Sequence, residues 1–136
     1  MILSGFLTAL RSLLPQRLKK GVGPRGEALA AQFLASSGYR LVARNVRSTF
    51  GEIDLVARDG QTLCFVEIKA RRSTRFGWPE ESVTPEKQRR LGRLAEWYCK
   101  AYRTGNVPVR FDVVSILFSP DGSVGRTRLI KGAFEV

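Results

Sequence analysis

The residues best suited to chemistry in this chain are two acids and a lysine that fall in neighbouring apolar segments. Asp54 lies in the segment 51–55 (GEIDL), and Glu67 and Lys69 lie in the segment 66–69 (VEIK). Carboxylate oxygens are the ligands that Mg²⁺ prefers, and a lysine beside a bound ion can hold or activate a water molecule. This combination predicts a Mg²⁺ or Mn²⁺ site with a catalytic lysine.

The two segments are predicted to form a hairpin that brings these side chains together. Residues 52–58 and 63–70 are rich in Ile, Leu, Val and Phe, which favour strands, and the Asp-Gly pair between them favours a tight turn. Side chains alternate between the two faces of a strand. A two-residue turn and a four-residue loop give registers that differ by two residues, so either one places Asp54 on the face that carries Glu67 and Lys69.

A metal ion at this position would serve the hydrolysis of a phosphodiester. The ion would polarise the scissile phosphate and lower the pKa of a bound water, and Lys69 would offset charge in the transition state. The predicted ligands are Asp54, Glu67 and the carbonyl oxygen of Ile68. The alternative is a surface hairpin with cross-strand ion pairs, but charged side chains within so apolar a segment are costly unless they are paired or bind a metal.

The composition favours an anionic partner and excludes several classes of enzyme. The 136 residues include 23 Lys and Arg against 12 Asp and Glu, which gives a net charge of +11. Such a balance favours nucleic acid or an anionic membrane surface as the partner. The chain has no histidine, which excludes Ser-His-Asp triads and histidine-dependent nucleases. Cys64 and Cys99 lie far apart and predict neither a metal site nor a disulfide, in keeping with a reducing cytoplasm.

The chain is predicted to contain one folded domain and a separate N-terminal segment. Apolar residues in 1–14 follow a helical spacing, and a basic stretch with Gly and Pro follows them. Residues 1–22 are therefore predicted to be an amphipathic helix and a basic linker. Residues 23–136 are the predicted domain, which is long enough to bury a hydrophobic core. The sequence contains no run of 18 apolar residues, so no membrane span is predicted.

The predicted elements follow the order helix, three strands, helix, two strands, which gives a mixed α/β domain with a central sheet. Glu27 lies in the first predicted helix, residues 24–37, on the same face as Ala30, Ala31 and Leu34. Two interpretations of Glu27 stay open. It is either a third carboxylate that reaches the metal directly or through water, or a solvated residue that favours the helix dipole.

Basic residues and a tryptophan follow the predicted site. The loop after the third predicted strand would contact backbone phosphates and stack on an exposed base, and a lysine on the sheet-facing side of the second helix would reach a phosphate. Ordinary solvated charges, and a lysine at the end of an apolar stripe, are the alternatives. The predicted nucleic-acid contacts are Arg71, Arg72, Arg75, Trp78 and Lys87.

Together these features resemble the PD-(D/E)xK nuclease superfamily, and more closely the YraN-like family of bacterial predicted endonucleases, which is related to archaeal Holliday-junction resolvases. The resemblance covers about residues 24–117. Ile53 stands where the superfamily pattern has proline, a departure that related resolvases share. The matching residues are Gly26-Glu27-Ala28, Ala31, Gly38-Tyr39, Arg44-Asn45, Gly51-Glu52-Ile53-Asp54-Leu55, Val66-Glu67-Ile68-Lys69, Lys87 and Arg110-Phe111-Asp112-Val113.

The resemblance implies a restriction-endonuclease-like core, with a central mixed sheet flanked by helices in the order α-β-β-β-α-β-β. It implies metal carboxylates at Glu27, Asp54 and Glu67 and a catalytic lysine at Lys69. The implied activity is metal-dependent cleavage of DNA, selective for structures such as junctions or flaps, and the implied assembly is a homodimer.

Two other interpretations stay open. A noncatalytic nucleic-acid-binding module that retains this fold would bind in a salt-dependent manner without cleaving. A basic protein recruited to a membrane or a complex would use residues 1–14 for that purpose.

Overall fold

The computed structural model describes residues 23–136. The elements are helix α1 (Gly23–Ser36), strands β1 (Arg40–Ser48), β2 (Gly51–Asp59) and β3 (Thr62–Arg71), a 3-10 turn (Pro79–Ser82), helix α2 (Pro85–Ala101), and strands β4 (Val109–Phe118) and β5 (Val124–Phe134). The predicted N-terminal helix and its basic linker, residues 1–22, lie outside the described residues. Neither α1 nor α2 is long and apolar enough to cross a membrane.

The five strands form one mixed sheet with a helix on each face. Their spatial order is β1-β2-β3-β4-β5, with β3 and β4 parallel and the other neighbours antiparallel. Helix α2 is the crossover that a parallel pair requires. Residues of α1 pack in one buried cluster with one face of the sheet, and residues of α2 pack in a second cluster with the other face. The predicted fold class and element order are confirmed, and they match a restriction-endonuclease-like core.

Local sequence signals set the start of α2 and the end of α1. The Thr84 hydroxyl accepts a hydrogen bond from Lys87 N at 3.2 Å, and Pro85 occupies the first turn, where its missing N–H is no loss. Helix α1 ends just before Gly38, which has a φ of 91° that only glycine adopts readily. The caps fix where each helix begins or ends relative to the sheet.

The hairpin between β2 and β3 differs from the predicted turn at Asp59-Gly60. Asp59 pairs with Thr62, so the two turn residues are Gly60 and Gln61. Gly60 has a φ of 62°, which suits the turn. Of the two registers that the sequence left open, this is the one that sets Asp54 opposite Glu67.

Strand β5 continues past Ile130 through a backbone irregularity. The pairing with β4 shifts between Phe111 and Val113, and Gly132 adopts a φ of 59° at this point. Gly132 N donates a hydrogen bond at 2.9 Å to Asp112. The Asp112 carboxylate thus accepts the hydrogen bond from Gly132 N where the register shift interrupts the backbone ladder.

Asp112 is the centre of a buried polar network on the α1 side of the sheet. It is fully buried and accepts hydrogen bonds from the Tyr39 hydroxyl at 2.6 Å and from Arg110 Nε at 2.8 Å. Arg110 also contacts Asp59 at 2.8 Å. Burial alone would raise the pKa of Asp112, but the hydrogen bonds from Arg110 and Tyr39 outweigh it and hold this pKa below its usual range. The network joins the residue before β1 to β2 and β4, and it lies on the face opposite to α2.

Candidate functional site

Asp54 of β2 reaches across to the backbone of β3 beside Glu67. Leu55 pairs with Val66 in the antiparallel ladder, so Asp54 and Glu67 lie opposite each other at the next position away from the turn. Ile68 N donates a hydrogen bond to Asp54 Oδ2 at 2.9 Å. The Asp54 side chain thus takes the place of a backbone acceptor in the ladder and lies beside Glu67, in one of the two registers that the sequence left open.

The alternation of β2 breaks at Asp54. Ile53 packs in the cluster that contains α2, whereas Leu55, two residues later, packs in the cluster that contains α1. On the neighbouring strand β1, Asn45 adopts a left-handed φ of 53°, and its side-chain amide donates a hydrogen bond to Glu27 Oε2 at 3.4 Å. The irregular backbone at this point frees the Asp54 carboxylate from strict alternation and lets it turn toward β3.

Glu67 is buried, with only one of its two carboxylate oxygens paired. The residue is 4% exposed. Its Oε1 lies 3.2 Å from Lys87 Nζ and 3.7 Å from Lys69 Nζ. Its Oε2 is buried and has no hydrogen-bond partner among residues 23–136. A buried carboxylate oxygen without a partner is costly, so this atom marks a place where a cation would be stabilised.

The raised pKa of Asp54 also indicates a place where a cation would be stabilised. Burial, and after it the negative charge of Glu67, raise the pKa of Asp54 to about 8, while the hydrogen bond from Ile68 N opposes the rise. Two carboxylates held this close repel each other when both are ionised. A divalent cation between them would remove the repulsion.

The donor set fits a hard divalent cation that is shared with waters and substrate. Within the described part of the chain, no group of three or more His, Cys, Asp or Glu side chains is arranged to hold a metal. Mg²⁺ commonly binds through one or two carboxylates and completes its shell with waters and phosphate oxygens. Asp54 and Glu67 meet that requirement. The third carboxylate, Glu27, and the carbonyl oxygen of Ile68 stay predictions.

Lys69 and Lys87 approach the same carboxylate from different elements. Lys69 follows Glu67 on β3, and Lys87 lies in the first turn of α2, which Thr84 caps. Both side chains keep about a quarter of their surface exposed, at 23% and 28%. The structure brings both lysines to Glu67, and each can still reach a ligand from solvent. Their roles toward a substrate stay predictions.

The predicted nucleic-acid contacts after Lys69 lie at the end of β3 and in the loop that follows. Arg71 is the last residue of the strand, and Arg72 and Arg75 are exposed. Trp78 is 42% exposed, and Phe76, which the sequence analysis did not single out, is 79% exposed. Arg75 Cζ lies 5.5 Å from the centre of the Phe76 ring. The loop is therefore a surface of mixed basic and aromatic character.

A group of hydrogen bonds centred on Glu80 supports this loop, and the sequence did not predict it. Glu80 accepts hydrogen bonds from Ser115 Oγ at 2.6 Å, Arg126 Nη2 at 2.9 Å and Arg128 Nη1 at 3.1 Å. Burial opposes ionisation of Glu80, but the Ser115 and Arg126 contacts outweigh it and lower its pKa. The partners come from β4 and β5, far along the chain, so no local spacing could have indicated them.

Comparison with known proteins relates most of the chain to one family. Residues 26–116 match the model of a family described as "Uncharacterised protein family UPF0102". A UPF0102 protein of Symbiobacterium thermophilum is 53% identical, over 86% of this chain and 98% of the relative. UPF0102 proteins of Syntrophus aciditrophicus and Caldicellulosiruptor saccharolyticus are 45% and 42% identical, over 84% and 85% of this chain and 88% and 98% of the relatives. The matched range includes the acids and lysines of the site.

Proposed function

The chain belongs to the uncharacterised protein family UPF0102, as the YraN-like resemblance led us to expect, and we propose that it is a metal-dependent endonuclease that hydrolyses phosphodiesters in DNA. One observation carries the proposal. Glu67 is buried beside the half-buried Asp54, one of its carboxylate oxygens has no partner among residues 23–136, and two lysines contact it. Membership of the PD-(D/E)xK superfamily and kinship with Holliday-junction resolvases are parts of this proposal.

The residues of the site have distinct roles in the proposed reaction. Asp54 and Glu67 would hold the divalent cation, which would polarise the scissile phosphate and lower the pKa of the attacking water. Lys69, partly exposed beside Glu67, would orient that water and offset charge in the transition state. Lys87 would hold a nonbridging phosphate oxygen from the α2 side.

The charge of the chain supports DNA as the substrate. The net charge of +11 and the exposed arginines after Lys69 would attract a phosphate backbone and orient it over the site. Arg71, Arg72 and Arg75 would make contacts of this kind. A homodimer, as in the resolvases that the sequence resembles, would present two such sites to opposed strands.

The test is cleavage of labelled four-way junction, flap, single-stranded and duplex DNA with Mg²⁺ or Mn²⁺. We expect wild-type protein to cleave at least one substrate. Asp54→Asn and Glu67→Gln should lower the rate by about 10²–10³-fold, a typical loss when an electrostatic contact to the transition state is removed. Glu96→Gln removes the same charge from an exposed position on α2 and should cleave as the wild type does.

Two outcomes would contradict the proposal. Equal cleavage by wild type and Asp54→Asn would identify a contaminating nuclease. DNA binding by all variants, with no product in either metal, would favour the second candidate function, a noncatalytic nucleic-acid-binding module. The strongly basic composition favours that candidate, because it supports binding whether or not the site is active.

A further inference from the structure

We propose that Trp78 is a stacking platform for an unpaired nucleobase, so that the preferred substrate is DNA with single-stranded nucleotides beside the cleaved phosphodiester. This inference rests on the proposed function for its link to cleavage, and it deepens that function by naming the substrate class. A fully paired duplex would not use the platform, because its bases are stacked on one another.

The platform is tied to the strand next to Lys69. In the parallel pairing of β3 with β4, Lys69 lies opposite Ser115. Neighbouring strands are about 4.8 Å apart. Ser115 Oγ donates to Glu80 at 2.6 Å, and Glu80 accepts from Arg126 at 2.9 Å. The chain of contacts that ends at Trp78 therefore begins one strand away from the candidate catalytic lysine.

Trp78 is contacted on its ring by an arginine and keeps part of its surface exposed to solvent. Arg126 Cζ lies 4.3 Å from the centre of the ring, over its face. Trp78 N also donates a hydrogen bond to Glu81 Oε2 at 3.2 Å. The residue nevertheless keeps 42% of its surface exposed. A large aromatic side chain that is fixed by an arginine and still open to solvent is preorganised to stack on a further ring.

The surroundings of Trp78 favour a nucleotide over an apolar partner. Phe76 is 79% exposed two residues earlier, and the exposed Arg72 and Arg75 lie in the same loop. Protein interfaces are depleted of charge at their centre, whereas sites for single-stranded nucleic acid combine aromatic platforms with basic residues that follow the backbone. The arginines would bind phosphates while Trp78 stacks on a base.

Binding measurements in a chelator test the platform without cleavage. Fluorescence anisotropy would compare a labelled single-stranded oligonucleotide with a blunt duplex of the same sequence. Trp78→Leu keeps apolar bulk but removes the aromatic face, and it should weaken single-strand binding by about 5- to 150-fold while leaving duplex binding unchanged. Trp78→Phe should retain most of the affinity. Tyr102→Leu is the matched control, since Tyr102 is 49% exposed at the far end of α2, and it should change neither affinity.

The results separate this inference from the proposed function. Equal weakening of both ligands by Trp78→Leu, or weakening of neither, would overturn the platform even if wild-type protein cleaves DNA. Selective loss of single-strand binding would support the platform even if no DNA is cleaved, in which case the proposed endonuclease activity alone fails. Equal binding by Trp78→Phe and Trp78→Leu would also overturn it, because stacking requires an aromatic ring.

Discussion

Replacing Asp54 by asparagine should stabilise the metal-free protein and remove its response to Mg²⁺. Asparagine keeps the size of the side chain and an oxygen that can accept the 2.9 Å hydrogen bond from Ile68 N. It removes the negative charge that burial and Glu67 disfavour. The substitution therefore relieves a cost of the metal-free site and deletes a proposed metal ligand at the same time.

The direction of the pKa shift gives the sign and bounds the size of the effect. The pKa of Asp54 is raised to about 8 in the folded protein, against about 3.9 in an unfolded chain. Each unit corresponds to about 1.36 kcal/mol, so the upper bound at neutral pH is roughly 4 kcal/mol. Because Asp54 is only half-buried, water screens much of this. We expect a gain of about 1–2 kcal/mol, or about 3–10 °C in Tm.

The same shift predicts how stability depends on pH. A carboxyl group whose folded pKa lies above its unfolded pKa holds its proton more tightly in the folded state. The stabilisation of the folded state by this group is fully present below a pH of about 4 and is lost as the pH rises toward about 8. The metal-free wild type should lose stability across this window, and Asp54→Asn should lose less.

Denaturation in EDTA and then in excess Mg²⁺ measures both effects. Wild type should gain about 2.7 kcal/mol when Mg²⁺ reaches a hundred times its Kd, and Asp54→Asn should gain little. Glu96→Gln, exposed on α2, should behave as the wild type in both solutions. The reasoning is refuted if Asp54→Asn is no more stable than wild type in EDTA, or if Mg²⁺ stabilises both proteins equally.

Three further substitutions have expected costs that urea denaturation would measure. Lys87→Gln should destabilise the metal-free protein by about 1–2 kcal/mol, opposite in sign to Asp54→Asn, because it removes the closer cation from buried Glu67; an unchanged midpoint would contradict this. Asp112→Ala should cost about 3–5 kcal/mol, since it leaves Arg110 without its buried partner, and a cost below 1 kcal/mol would be too small for a buried pair. The lowered pKa of Asp112 means that its contribution is present above pH of about 4 and is lost as pH falls. Gly132→Ala should cost about 1–2 kcal/mol through the φ of 59°, and a stabilised variant would exclude this reasoning.

Element order and the direction of the helices could be predicted because their signals are local. Apolar periodicity indicated α2 and the strands, and the Thr84-Pro85 pair is a local signal for the start of α2. The same periodicity placed Lys87 on the side that faces the sheet, where the structure has it 3.2 Å from Glu67. These predictions needed only residues within one or two turns of each other.

The remaining features depend on contacts that no local pattern contains. Alternation along β2 left two registers open for Asp54, one of which is observed. The carboxylate, however, reaches Ile68 N at a point where β2 is irregular and Asn45 on β1 adopts a left-handed φ. The support of Trp78 by Arg126 joins residues from distant parts of the chain. The observed turn is Gly60-Gln61, one residue later than the predicted Asp59-Gly60, because Asp59 pairs with Thr62 and so belongs to the strand.

The two faces of the sheet show why one carboxylate is structural and the other is a candidate for chemistry. Asp112, on the α1 side, is fully buried and receives hydrogen bonds from a hydroxyl, a guanidinium and a backbone N–H. Glu67, on the α2 side, is nearly as buried, yet one of its oxygens has no partner within residues 23–136. A fold that satisfies the first acid so fully gains nothing in stability from leaving the second half-satisfied. The deficit at Glu67, beside the charge repulsion that raises the pKa of Asp54, supports the proposal that a divalent cation binds here.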